Sequence, residues 1–262
     1  MEEIFVCQNS LEGVLTAIYR IYEEKCNGPD TSVQIGEDDL RLFARYHQVD
    51  TAPALAEKVA STIQRRFGSE AWEAVSYALC AEDRGKGQAV YRTVAAGLSG
   101  RIRGPLMQAL ANEDVRRVFE LSRHVHNEAH RMIEFLRFKE VEGGMLFARI
   151  EPAADVTALI MPHFADRFPL ENFVIADTGR GLAGIHTAKQ PWVIVRYGSG
   201  LREQVESAAD RYSQMEQEMA ELFRHFCDAL GIKERRNIHL QQQLLPLKYR
   251  RFMTEFEEKE GV

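Results

Sequence analysis

The chain predicts an α+β fold, predominantly helical, with a small, mostly antiparallel sheet of about four to five strands in its middle. Three observations lead there. Apolar residues recur at helical spacing through most of 11–139, three short β-rich runs follow between 173 and 197, and Gly143-Gly144 separates the two patterns. At 262 residues the chain can bury a sizeable core, and 45 % hydrophobic with 27 % charged residues excludes a disordered protein. No apolar run approaches the ~20 residues of a bilayer span. Met1-Glu2-Glu3 is acidic where a signal peptide would be basic, so the expectation is cytoplasmic, with no membrane partner.

Ile4-Phe5-Val6-Cys7 reads as a strand, and Asn9-Ser10 caps a helix carrying Leu11, Val14, Leu15, Ile18 and Tyr22 on one face. Asn27-Gly28-Pro29-Asp30 forces a turn. Residues 37–139 read as helical, punctuated near Pro53, Gly68, Gly85-Lys86-Gly87 and Gly100–Pro105, with Thr51 and Ser69 as N-caps. The longest helix is expected from Asn112 to Lys139, with Val115, Val118, Phe119, Ser122, Val125, Ala129, Ile133 and Leu136 lining one face. Met145–Ile150 is a strand stopped at Pro152, and a helix follows, ending before Pro169. Residues 173–176, 182–185 and 192–197 are strands by their β-branched and aromatic content. A polar helix then runs to Leu230, and a basic tail holds a final helix around 247–258. The whole, 1–262, is read as a single α+β unit, subdivided into a helical region 1–142, a sheet region 143–200 and C-terminal helices with a basic tail 201–262.

Cys7, Cys26, Cys80 and Cys227 are scattered, with no C-x-x-C. That excludes a zinc ribbon, a thioredoxin-type pair and a cluster-binding radical loop, and leaves reduced, mostly buried thiols. The net charge of −6 is unevenly spread. Residues 1–60 sum to −6 and residues 201–230 to −4, whereas 101–139 sum to +3 and 232–251 to +5.

His124-Val-His126-Asn-Glu128-Ala-His130-Arg131, with Glu134, is the densest polar constellation. His126, His130 and Glu134 share a helical face at metal-site spacing, but Glu128 stands two residues after His126, which breaks the H-E-x-x-H pattern. One helix seldom completes a site alone, so no metal and no cofactor is assigned. Glu128, His130, Arg131 and Arg137 are the catalytic candidates if the chain is an enzyme, and they should converge on a polar cleft. Gly85-Lys86-Gly87 lacks the rest of a phosphate loop and reads as a helix-to-helix turn; Asp177-Thr178-Gly179-Arg180-Gly181 reads as a hairpin connection.

In the basic tail Arg235, Arg236, Asn237, Gln242, Lys248, Tyr249, Arg250 and Arg251 interleave cations, amides and an aromatic ring. Arginines grip phosphates, amides meet base edges and a tyrosine can stack on a base, so these residues are the nucleic-acid candidates. The competing reading pairs the arginines with the acidic helix at 201–230.

Several stretches together resemble a bacterial domain-of-unknown-function family described as DNA-metabolism proteins. They are Ser10–Leu15, Glu128-Ala-His130-Arg131 through Phe138, Pro162-His163-Phe164-Ala-Asp166-Arg167, Ile175-Ala-Asp177, and Arg236-Asn237 through Gln242, Pro246 and Tyr249. Members of that family accompany a radical SAM protein of DNA repair or modification, and in other chains the domain is joined to a uracil-DNA glycosylase module. The resemblance implies an accessory protein that binds DNA or another nucleic acid and works with a radical SAM partner. The alternatives are a stand-alone enzyme, metal-dependent or not, around Glu128, His130 and Arg131, or a protein-interaction scaffold.

Overall fold

The computed structural model describes residues 1–36, 41–198, 211–230 and 237–256. Its contacts divide into two units: Met1–Asn127 with Ala153–Asp155, and Glu128–Pro152 with Val156–Val262. The α+β class and the helical predominance hold, and there are two sheets rather than one.

The first unit opens with β1 (Glu2–Cys7) and α1 (Leu11–Glu23). Ser10 caps α1, its hydroxyl accepting from the Gly13 amide at 3.0 Å. Gly13 is fixed by close approach, since a Cβ there would sit 2.4 Å from the Gln8 carbonyl oxygen. Strands β2 (Thr31–Ile35) and β3 (Ala44–Gln48) flank β1 in parallel, in the order β2-β1-β3. The central strand is buried continuously through Ile4-Phe5-Val6-Cys7, as expected of a covered parallel strand. Strand β3 overturns the helical reading over 44–48, while 37–40 lie outside the described residues. Its sequence, Ala-Arg-Tyr-His-Gln, has no β-branched residue and is held by its neighbour: His47 stacks on Phe5 at 4.4 Å and bonds Glu3 at 2.6 Å. The His47 bond holds the Glu3 carboxyl below its usual range, against partial desolvation.

Helices α2 (Pro53–Phe67), α3 (Ser69–Cys80) and α4 (Lys86–Leu98) follow, then a single 3-10 turn and α5 (Glu113–Phe135). The expected caps differ: Thr51 bonds the Gln8 side chain, Ala52 is the N-cap of α2, and Gly68 rather than Ser69 caps α3. Asn112 starts α5, its side chain accepting from the Val115 amide at 3.1 Å. The buried stripe of α5 takes in Leu121 and Met132, while Phe119 is 38 % exposed.

The second unit carries the sheet β4 (Lys139–Val141), β5 (Met145–Ile150), β6 (Phe173–Asp177), β7 (Leu182–His186) and β8 (Val193–Arg196), in chain order. It is mixed: β5 and β6 pair in parallel across α6 (Thr157–Arg167), and the other pairs are antiparallel. Because side chains alternate, Ala148, Ile150, Phe173 and Ile175 face α6. There Phe138 meets Phe164, Phe168 and Phe173 edge-on, at 5.2, 5.6 and 5.4 Å. Gly184 lets α6 approach β7, for a Cβ would lie 2.3 Å from the Met161 sulfur. On the other face Tyr212 joins Val141, Phe147 and Ala176. Ser213 begins α7 (Gln214–Leu230), its hydroxyl accepting from the Glu216 amide at 3.1 Å while the Glu216 carboxylate accepts from the Glu140 amide. Two short helices follow, α8 (Ile238–Leu244) and α9 (Leu247–Arg250), the second shorter than the expected helix around 247–258, of which 257 and 258 lie outside the described residues. No described helix is long and apolar enough to cross a membrane.

Candidate functional site

The sequence candidates of α5 and of the tail meet in the second unit. Glu128 is buried at 3 % exposure, and Lys248 donates to its carboxylate at 2.9 Å. Burial opposes the charge on Lys248, but its bonds to Glu128 and Tyr249 and the attraction of Glu128 outweigh it, so its pKa is raised. Tyr249 packs on the Phe135 ring at 5.6 Å, and the Arg131 guanidinium lies 5.9 Å from its centre. Arg137 donates to Glu255 at 2.9 Å and to the carbonyls of Glu134 and Leu136. His130 stands apart, exposed and paired with Glu134 at 3.2 Å.

Three of the four catalytic candidates therefore gather, but around the protein's own tail. Glu128, Arg131 and Arg137 dock residues 248–255 on the last turns of α5. No local pattern signals this pairing, because Glu128 and Lys248 are 120 residues apart.

The nucleic-acid candidates divide. Arg235 and Arg236 lie outside the described residues. Asn237 caps α8, accepting from the Leu240 amide at 3.0 Å, and Gln242 is exposed on that helix. Tyr249 is 7 % exposed, which corrects its expected role: a buried ring packed on Phe135 offers no face to a base. Arg250 donates twice to the Leu245 carbonyl at 3.1 Å and stacks over Phe256; Arg251 pairs with Glu151 and stacks over Phe252. Among the described tail cations, Lys248 pairs with Glu128 and Arg251 with Glu151; residues 201–210 and 231–236, where the competing pairing also falls, lie outside the described residues.

His126 rests against the Tyr77 ring at 5.7 Å in the first unit, while His130 and Glu134 pair with each other. Among the described residues, no three His, Cys, Asp or Glu side chains gather as metal ligands. Lys86 is buried and donates to the Ala81 carbonyl at 2.9 Å, closing the turn into α4. Arg180 closes the β6–β7 hairpin on Asp177 and the Pro152 carbonyl, at 3.2 and 2.8 Å. Cys7, Cys26 and Cys80 are free thiols, of which Cys7 alone is buried; burial pushes it up to about 12, eased by Lys86 nearby.

Among solved structures, the chain is similar at 10 % identity to a DHH domain described as a member of the s1p family of ribosomal proteins. That likeness covers 79 % of this chain and 85 % of that one at a TM-score of 0.34, too low to bear on fold or function. No curated protein matches the chain. The family description "Domain of unknown function (DUF4130)" matches residues 84–255. That span runs from the turn before α4 to the glutamate that holds Arg137 and takes in well over half of the chain, so the protein belongs to the DUF4130 family.

Proposed function

We propose that the protein is an accessory factor of DNA repair or modification, contacting nucleic acid and holding a protein partner that supplies the chemistry. In the family likeness that partner is a radical SAM enzyme. The observation that carries the partner half is the outward face of α7. Met215, Met219, Leu222 and Phe226 recur there at helical spacing and are 64 %, 54 %, 62 % and 55 % exposed. Single exposed apolar side chains are ordinary, but an unbroken stripe of four is the signature of a helix that lies against another protein. Strand β8 adds to it, being an edge strand among the described residues, with Val193, Ile194 and Val195 all exposed. The stand-alone enzyme reading loses support from Glu128, whose carboxylate is spent on Lys248.

Co-expression with the cognate radical SAM protein tests this. Leu222→Glu with Phe226→Glu should abolish co-purification and leave thermal unfolding unchanged, since both side chains face outward. Full retention of the partner by the double variant would sink the proposal.

A further inference from the structure

A shallow cavity of about 350 Å³ in the first unit is lined by Arg66, and Arg65, Arg101 and Arg103 are chain neighbours of residues that line it. Helix α2 ends in Arg65-Arg66-Phe67, and the loop after α4, Gly100-Arg101-Ile102-Arg103-Gly104, forms the opposite wall. Gly100 and Gly104 both take left-handed φ, at 70° and 93°, which brackets the loop at its two ends. Between them Ile102 is half-buried and lines the cavity, while Arg101 and Arg103, its neighbours in the chain, are exposed and lie outside the lining.

All four arginines are exposed, and none of their guanidinium groups has an acidic, carbonyl or ring partner among the described residues. Elsewhere in this unit Arg20 pairs with Glu23, Arg41 with Glu2 and Arg117 with Asp83, while Arg116 and Arg123 are exposed without a side-chain partner among the described residues. No acid lines the cavity, and none occurs anywhere from Arg84 to Asn112, a stretch with five cations. Like charges gathered without counter-charge repel one another, and a bound anion relieves that repulsion. Guanidinium forks match phosphate oxygens two at a time. The floor is apolar, made by Phe67, Leu98, Ile102 and Leu106, which suits an unstacked base beside its phosphates better than it suits a carboxylate.

We infer that Arg65, Arg66, Arg101 and Arg103 hold the phosphodiester backbone of single-stranded nucleic acid, with one base on the Phe67–Ile102 floor. The inference deepens the nucleic-acid half of the proposed function and rests on it. It also moves the contact from the tail, where the sequence placed it, to the first unit.

The test is anisotropy of a labelled oligothymidine with the full chain across a potassium chloride series. Four phosphate contacts give a log–log salt slope of roughly −2.8 on a single strand. Arg65→Gln with Arg66→Gln, and separately Arg101→Gln with Arg103→Gln, should each flatten the slope by about 1.4. Ile102→Ser should weaken binding and leave the slope unchanged, because it removes floor and no charge. No binding by the native chain at any salt overturns both this inference and the nucleic-acid reading beneath it. Binding with a slope that neither double variant alters overturns this site alone. If polyglutamate binds as tightly as the oligothymidine and is lost in the same variants, the patch is a generic anion surface and the phosphodiester assignment falls.

Discussion

The protein carries two groups of cations that look alike in sequence and differ in what surrounds them. Lys248, Arg250 and Arg251 sit in the most basic stretch of the chain, yet each is taken up by a carboxylate or a carbonyl of its own unit. Arg65, Arg66, Arg101 and Arg103 are split between two elements, form no conspicuous run, and are left without partners among the described residues. A run of positive charge thus marks where cations are, not whether they are available. Availability depends on acids brought in from distant parts of the chain.

Removing the tail's aromatic anchor should have the largest effect. Tyr249→Ala takes a buried ring from the Phe135 contact and should cost about 3–5 kcal/mol in urea unfolding. A loss under about 1 kcal/mol would show the tail to be loosely held and its cations free after all. Lys248→Met should cost less, about 1–2 kcal/mol. That figure lies below the ~3–5 kcal/mol of a fully buried broken pair because half of the Lys248 side chain, 52 %, is exposed. This difference has a pH signature. The Lys248 pKa is raised on folding, so the pair contributes in full below the ordinary value of 10.5 and is lost as pH rises through the folded-state value. On the alkaline side, urea midpoints of the native chain and Lys248→Met should therefore converge only above pH 10.5; convergence near neutrality would mean that the pair does not form. The smallest effect belongs to the other group. Arg101→Gln with Arg103→Gln should shift stability by no more than about 0.5 kcal/mol, as befits exposed side chains. A larger loss would reveal hidden partners and erase the contrast.

What was legible in the sequence follows the reach of the forces involved. Strands β5 to β7 were readable because alternation and β-branched content are local, and α1 because Ser10 and its apolar stripe are local too. Strand β3 was not. Arg45 and His47 become strand residues through Glu3 and Phe5, more than forty positions earlier in the chain, and a propensity reading finds Tyr46 as the one β-favouring residue of the five. At the candidate site the helix carrying Glu128, Arg131 and Arg137 was visible, and so was the basic tail. That the one would grip the other was not, because periodicity carries no information about a partner 120 residues away. The left-handed Gly100 and Gly104 were visible as punctuation, but the meeting of their loop with the end of α2 is a tertiary fact.

The approach of α6 to β7 has a consequence for how this chain can drift. A Cβ at 184 would meet the Met161 sulfur at 2.3 Å and its Cγ at 2.8 Å, and Met161 is fully enclosed, with nowhere to swing. Alanine at 184 becomes tolerable only after residue 161 has shortened, and a shortened 161 leaves a void until 184 has grown. Neither substitution is neutral first. The two positions form one steric locus, and among diverging relatives a side chain at 184 should arrive together with a smaller residue at 161.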